Sequence, residues 1–584
     1  MRSPPELAPP YTEVARPALL GRIANTAWVQ PTIDCAFLAA AVIVSLAVYV
    51  SNLGFYLDDY GVLWRMNASH DQSLVGLYHA VRSGTGQRPL QAGLFAFLYR
   101  LFGLDPLGYH LFNAALLVSI ALLLYLVLRE LRLPRAICIA VPLVYSMLPH
   151  YATGRFWLDA FQISLSTAFY LLSLYGGLRA VRSSVTALGG WLAIAVLGIA
   201  GSLLSYEIAF PLFALNFALI WWASRQSDEA ASNRGRLRLT IAVLAAAMVA
   251  VGVLKTAAVA TGGQNGYGIG FHGGALHHYA YLAWGAFKVN FGTYLLAFPY
   301  VLWWILAHRF SWTNLGVAAA VGLLAFTYLW RVARAERTPR AHCDLWRGLV
   351  GAGLVAFVLG YATFLAASTF LFRSAGVDNR INAAAALGVA TAIVGGLGLL
   401  AERLQARFKD VAFAGGVACV VAAGAFVIQT LGTYWTKAAA RQHTVMTTIL
   451  RDARATPPGS IFILDGACPE VGPSPVFSDD TDLAAALKLE LRERAPSRAD
   501  VAWDGLRAAD GKVALTIRFA DHSSTRTYPL NGKLVVYDYV RRRLDRLSSV
   551  ERARHYIAHR SALSCPPLRS FAWGFDPGHR WSPA

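Results

Sequence analysis

Two adjacent carboxylates, Asp58 and Asp59, follow directly on the first long apolar run, in Leu53-Gly54-Phe55-Tyr56-Leu57-Asp58-Asp59-Tyr60. An ionisable side chain beside a membrane helix is costly unless it meets water or a partner, which marks it as a candidate for function. Neighbouring carboxylates raise the proton affinity of one of the pair, and a carboxyl poised nearer the working pH can act as a general base toward a hydroxyl. Asp58 is the expected base, with Asp59 orienting it or a bound substrate and Tyr60 as a substrate contact. The plainer reading is that one aspartate caps a short helix beginning at Tyr60, because Asp is favoured there.

Further charges fall at the same predicted outer level. The acidic ones are Asp71, Asp105, Asp159, Glu207 and Asp378; the basic or hydrogen-bonding ones are Arg88, His110, Arg155, Lys288, Arg373 and Arg380. They come from separate segments, so one shared outer site is the economical explanation; unrelated loop charges are the alternative, since acidic residues are weak topology signals. A guanidinium matches phosphate oxygens in a bidentate way, which makes Arg155, Arg373, Arg380 and Arg88 candidates for a phosphate. Arg155 and Asp159, four apart, could equally form an internal ion pair. His110 and Asn113, three apart, share one helix face and either bind a polar headgroup or pair with another helix. Glu207 and Lys288 complete the substrate-binding candidates. A divalent cation, Mg or Mn, on Asp58 and Asp59 could share the electrostatic work. Nothing requires one, so no cofactor and no dedicated metal site are expected.

These residues must be positioned by membrane helices. Of 584 residues 56% are hydrophobic and 15% charged, with a mean hydropathy of +0.45, values that soluble domains rarely combine. The net charge of +19 lies largely in short Arg-rich loops between apolar runs, where it signals topology. With no zinc spacing and no phosphate-cradling glycine loop, nucleic acid is not an expected partner; the lipid bilayer is. The expected fold is an all-α polytopic membrane protein of eleven or thirteen spans with a small C-terminal α/β domain outside the cytoplasm. Residues 1–31 form a cytoplasmic tail. Residues 32–436 form the transmembrane domain, whose outer loop 56–107 carries interfacial helices near Val75–Val81 and Gly93–Phe102. Residues 437–584 form the outer domain, with strands at Ile461–Leu464, Lys512–Arg518 and Lys533–Tyr539 and helices at Asp482–Arg492 and Ser549–His559. Between Thr261 and Trp330 an odd number of crossings is required: three, or one with a re-entrant helix. Cys468 and Cys565 in the outer domain either form a disulfide or remain two thiols.

The acidic pair in the first outer loop, the interfacial helices, and Leu101-Phe102-Gly103-Leu104-Asp105-Pro106-Leu107-Gly108-Tyr109-His110-Leu111-Phe112-Asn113 opening the second span together resemble GT-C glycosyltransferases. The likeness is to the branch of protein O-mannosyltransferases and aminoarabinose–lipid A transferases, and it covers residues 30–225 best. It implies transfer of a sugar from a polyprenyl-phosphate donor to a lipid, glycan or protein acceptor at the outer, periplasmic face of a cell inner membrane. By position the family's acidic pair falls on Asp58 and Asp59, and its second functional carboxylate on Asp159. Many relatives have Asp-Glu where this chain has Asp-Asp-Tyr. Trp221-Trp222 is followed by Ala223 rather than Asp, which disfavours transfer of a whole oligosaccharide to Asn. Direct attack on the anomeric carbon of a hexose or pentose would invert its configuration, by analogy with glycoside chemistry. The competing class is a multi-pass transporter or lipid flippase, although no internal repeat is visible. A third reading makes the C-terminal domain the working part of a membrane-anchored binding protein.

Overall fold

Arg132, Arg135 and Arg182 meet Gln226, Glu336 and Glu130 at one end of a helical bundle in the computed structural model, which describes residues 29–85, 88–226, 233–260, 274–336, 343–367, 370–478, 480–502, 505–519 and 522–560. Helix α1 (Val29–Leu46, continued by a short turn to Asn52) is the first span. The outer loop folds as α2 (Asp58–Asn67), α3 (Leu74–Thr85) and α4 (Pro89–Phe102), close to the expected interfacial helices. They bury one apolar face each, with Leu63, Met66, Leu77, Val81, Phe95 and Leu98 packed around Tyr109 and Phe161. This is a shelf with its own small core.

The bundle helices that follow are α5 (Pro106–Glu130), α6 (Arg135–Ser146), α7 (Phe161–Arg182), α8 (Val185–Ser205), α9 (Phe213–Arg225), α10 (Asn233–Ala260), α11 (Ala275–Phe287), α12 (Phe298–His308), α13 (Trp312–Glu336), α14 (Cys343–Tyr361), α15 (Ala383–Glu402) and α16 (Ala406–Arg454). Nine helices among the described residues are long and apolar enough to cross a membrane. Two further segments also connect the two ends of the bundle. One is α6, which carries Pro142 and bends by 70° into the 3₁₀ segment Pro149–Arg155. The other is α7, 22 residues long, apolar for the most part but interrupted by Gln162, Ser164, Ser166, Thr167 and Ser173, and almost wholly buried; it starts beside Asp159 and ends where Arg182 meets Glu130 at the far end of α5. The described residues therefore make eleven crossings, the lower of the two expected numbers.

The described part of the stretch between Thr261 and Trp330, from residue 274 on, is placed by its contacts. The Nε2 of His278 shares a hydrogen bond with the Phe364 carbonyl, beyond the end of α14, while Arg309 Nε donates to Tyr434 Oη in α16 at the same level. Residues 275–308, bent by 63°, thus return to the end they left. Only α13 crosses. In hydrocarbon there is little hydrophobic drive between helices, so small residues bring backbones together: a Cβ on Gly360 of α14 would lie 2.5 Å from the Ala385 Cα of α15, and one on Gly388 2.3 Å from the Phe357 nitrogen.

Helix α16 runs for 49 residues. The change in composition at residue 437 therefore lies inside a continuous helix, which carries the chain rigidly from the bundle into the C-terminal domain. There β1 (Ile461–Asp465) is central in a sheet of order β4-β1-β8-β9, with β4 (Arg498–Ala502) and β8 (Leu534–Asp538) parallel to it and β9 (Arg543–Arg546) antiparallel on β8. A ribbon of β2 (Glu470–Val471) and β3 (Ser474–Pro475), and an antiparallel sheet of β5 (Leu506–Ala509), β6 (Lys512–Phe519) and β7 (His522–Pro529), complete the strands. Helices α17 (Asp480–Leu491) and α18 (Val550–His559) stand where the periodicity placed them. Helix α17 packs directly on α2, the helix that begins with the acidic pair.

Candidate active site

Leu57, the residue before the pair, has φ 51° and ψ −123°. A branched side chain rarely adopts such a backbone, and strain of this kind costs about 1–3 kcal/mol. It turns Asp58 outward and Asp59 inward. Asp59 is 1% exposed; its Oδ2 accepts the Tyr56 N–H at 2.9 Å and its Oδ1 the Asp159 N–H at 2.9 Å. The carboxyl thus joins the first outer loop to the segment before α7. Tyr56 is locked in turn, with its Oη donating to the Trp435 carbonyl (2.8 Å) and its own carbonyl accepting the Trp157 indole N–H (3.0 Å). Burial pushes the Asp59 pKa well above the usual carboxylate range; the Tyr56 N–H pulls it down, while the Asp159 and Asp58 charges raise it further.

Asp159 is half-buried beside this joint. The Gln91 amide donates to its Oδ1 at 2.9 Å and that of Gln162 to its Oδ2 at 3.4 Å. Burial raises its pKa, and the Arg380 and Arg88 charges oppose that rise. The Arg380 guanidinium lies 4.5 Å from the Trp157 ring centre, and that of Arg88 lies 4.1 Å from the Tyr206 ring. Arg88 also pairs with Glu207 at 3.2 Å, and Lys255 reaches the other oxygen of the same carboxylate. Two cations share one glutamate there. Arg380 owes its place to hydrogen bonds that knit the bend after α6 to residues 376–382: Thr153 N to Asn379 Oδ1 (3.1 Å) and Asn382 Nδ2 to the His150 carbonyl (2.8 Å).

Asp58, Asp59, Asp159, Arg88, Arg380 and Glu207 therefore converge from separate segments, while other sequence candidates stand elsewhere. Arg155 is 2% exposed and turned into the bundle, donating to the Ser146 carbonyl and to Ser45 Oγ; it forms no ion pair with Asp159. Arg373 pairs with Asp378 at 3.4 Å, next to Glu470 of the C-terminal domain. Lys288 lies on a π-helical turn packed with the 361–374 stretch, where Asn290 donates to Tyr361 Oη and Tyr294 to the Ser374 carbonyl. His110 and Asn113 are both buried on backbone, sharing hydrogen bonds with the Gly54 carbonyl (3.0 Å) and the Gly154 carbonyl (2.7 Å). Asp105 caps α5 and Asp71 holds its own turn. Tyr60 donates to Gln442 Oε1 and rests on Phe477, joining α2 to α16 and the outer domain. Cys468 is disulfide-bonded; Cys565 lies outside the described residues.

Gln91, Trp157 and Lys255 were not singled out by sequence reasoning. Lys255 had a signal, as one charge deep in an apolar run; Gln91 and Trp157 had none. No group of three or more His, Cys, Asp or Glu side chains suited to a metal ion occurs among the described residues. The two Asp59 oxygens are engaged by backbone N–H groups, so a cation shared by Asp58 and Asp59 would compete with both of those donors.

Fold and site together define a polytopic membrane protein with a carboxylate and guanidinium site at one end of the bundle, beneath an α/β domain. No protein-family model matches the sequence, and no curated protein matches it. Among solved structures the chain is similar to ArnT from Cupriavidus metallidurans bound to undecaprenyl phosphate, with 14% identity and a TM-score of 0.37 over 81% of this chain and 86% of that one. The apo state of the same protein aligns at a TM-score of 0.33 and 14% identity, over 80% and 85%.

Proposed function

We propose that this protein is a membrane glycosyltransferase that moves a sugar from a polyprenyl-phosphate donor to a hydroxyl or phosphate of a lipid, glycan or protein. The observation that carries this reading is the convergence of Asp58, Asp159, Arg88 and Arg380 at one end of the bundle, with Asp59 joining two of the contributing segments. Asp58, facing outward, removes the acceptor proton. Asp59 holds the loop and Asp159, fixed by Gln91, orients the sugar. Arg88 and Arg380, with Lys255 behind Glu207, take up the negative charge that grows on the departing phosphate. Attack opposite that phosphate inverts the anomeric carbon. The reaction needs no metal on this reading, and the site and C-terminal domain face the periplasm of an inner membrane, opposite the arginine-rich loops.

The test is incorporation of labelled sugar by full-length protein in nanodiscs, supplied with a panel of prenyl-phosphate sugars. Transfer that disappears in Asp58→Asn supports the assignment; full transfer by folded Asp58→Asn and Asp59→Asn would end it. The bent segments 135–155 and 275–308 are what a transporter reading would invoke, as broken helices. Such sites sit near the bilayer midplane, whereas these carboxylates sit at one end. Labelled lipid crossing a vesicle without sugar transfer would favour that reading.

A further inference from the structure

At the opposite end of the bundle, the ends of α1, α5, α6 and α13 enclose a cavity of about 400 Å³ lined by Asp34, Tyr125, Arg129, Arg132, Arg135 and Glu336. At 1.5 Å of rise per residue along α5, Arg129 is roughly 30 Å from His110, so this cavity is separate from the carboxylate site. Its two acids are both consumed by the protein. Asp34 is 1% exposed; its Oδ1 accepts Arg135 Nη2 and Tyr328 Oη, each at 2.7 Å, and its Oδ2 accepts Tyr125 Oη at 2.6 Å and Arg135 Nε at 2.9 Å. Glu336 caps the start of α6, accepting the Arg135 N–H at 2.9 Å and the Ala136 N–H at 3.4 Å.

Two of the cations, Arg129 and Arg132, are left facing out. Arg132, at φ 57°, makes the tight turn between α5 and α6, which sets Arg129, Arg132 and Arg135 at intervals of three around the opening. Arg129 is exposed and lies over the Tyr125 ring, 5.8 Å from its centre, while Arg132, also exposed, gives one N–H to the Gln226 carbonyl at 3.2 Å. Neither has an acidic partner among the described residues. Guanidinium groups so placed suit phosphate oxygens. The opening lies where membrane helices end, and the outward face of α1 leaves Ile33 47% and Ile43 55% exposed, a surface for acyl chains. Basic pockets between spans take anionic lipid headgroups by this chemistry.

We propose that this cavity binds the phosphodiester headgroup of an anionic membrane lipid. Full-length protein in mild detergent is titrated with phosphatidylglycerol and, separately, with phosphatidylcholine, and bound lipid is counted by native mass spectrometry. Glycerol phosphate and inorganic phosphate serve as soluble competitors. The expected result is saturable retention of phosphatidylglycerol in preference to phosphatidylcholine, weakened by salt. The combined Arg129→Gln and Arg132→Gln variant should bind it about 30-fold more weakly, while Arg129→Lys with Arg132→Lys keeps most of the affinity. Equal retention of the two lipids, or affinity indifferent to salt, overturns the proposal on wild-type protein alone. Unchanged binding in the Gln variant, shown to elute and melt like wild type, also overturns it, as does binding of free phosphate without binding of lipid.

Discussion

Asp58 and Asp59 are neighbours in sequence with opposite surroundings, and substituting them one at a time separates holding from chemistry. Asp59 accepts two backbone N–H groups at 2.9 Å from segments a hundred residues apart. Hydrogen bonds to a charged group contribute about 1.5–3 kcal/mol each, and removing a buried carboxyl returns part of its desolvation cost. Asp59→Ala should therefore destabilise the folded protein by a net of about 2–4 kcal/mol. Asp59→Asn should cost less, since it keeps one acceptor but points an amide N–H at a backbone N–H. Asp58 is exposed, and Asp58→Asn should shift stability by no more than about 0.5 kcal/mol while lowering transfer about 10²–10⁴-fold, the usual contribution of a general base. Thermal unfolding in nanodiscs, run beside sugar-transfer rates on the same samples, reads both quantities. Were Asp59→Asn to abolish transfer at wild-type stability while Asp58→Asn stayed active, the two roles would be reversed and the reasoning from burial would fail.

Arg155 and Arg380 provide a second contrast: Arg380→Ala should raise the KM for a lipid-phosphate donor about tenfold or more, whereas Arg155→Ala should lower the melting temperature and leave that KM in place. Gln91→Ala removes one of the two amides that hold the Asp159 carboxylate and should reduce kcat with little change in donor KM, checked by steady-state kinetics. Chelation by EDTA should leave transfer intact; loss of activity restored by Mg or Mn would refute the metal-free reading. At the joint between β2 and the bundle, burial pushes the Glu470 carboxyl up to about 7, opposed by Arg373 and reinforced by Asp378. A raised carboxyl favours the folded state in its protonated form, so this stabilisation is full below about pH 4.5 and is lost as the pH rises toward 7. Glu470→Gln should flatten the fall in melting temperature across that window, the stabilisation at stake being about 1–2 kcal/mol after discounting for partial exposure.

Much of the architecture was legible because the bilayer forces it: backbone groups in hydrocarbon must be satisfied within helices, so apolar length reports spans directly. The shelf helices and the β1, β6 and β8 strands were legible too, since each buries one face with the period of its element. Residues 275–308 were not, because a bent helix that turns back has the same composition as one that crosses. The site was legible only in part. Asp58, Asp59, Asp159, Arg88, Arg380 and Glu207 could be nominated from charge at an outer level, but type and level say nothing about direction. Arg155 met the same criteria as Arg380 and points into the bundle, whereas Arg380 is brought beside Asp159 by Thr153, Asn379 and Asn382. Composition and hydropathy thus determined that this chain crosses a membrane many times, and which charged residues fall near the ends of its spans. Which of them share a pocket was decided by tertiary contacts between distant segments, because a side chain's partner depends on helix rotation and loop geometry that no local pattern encodes.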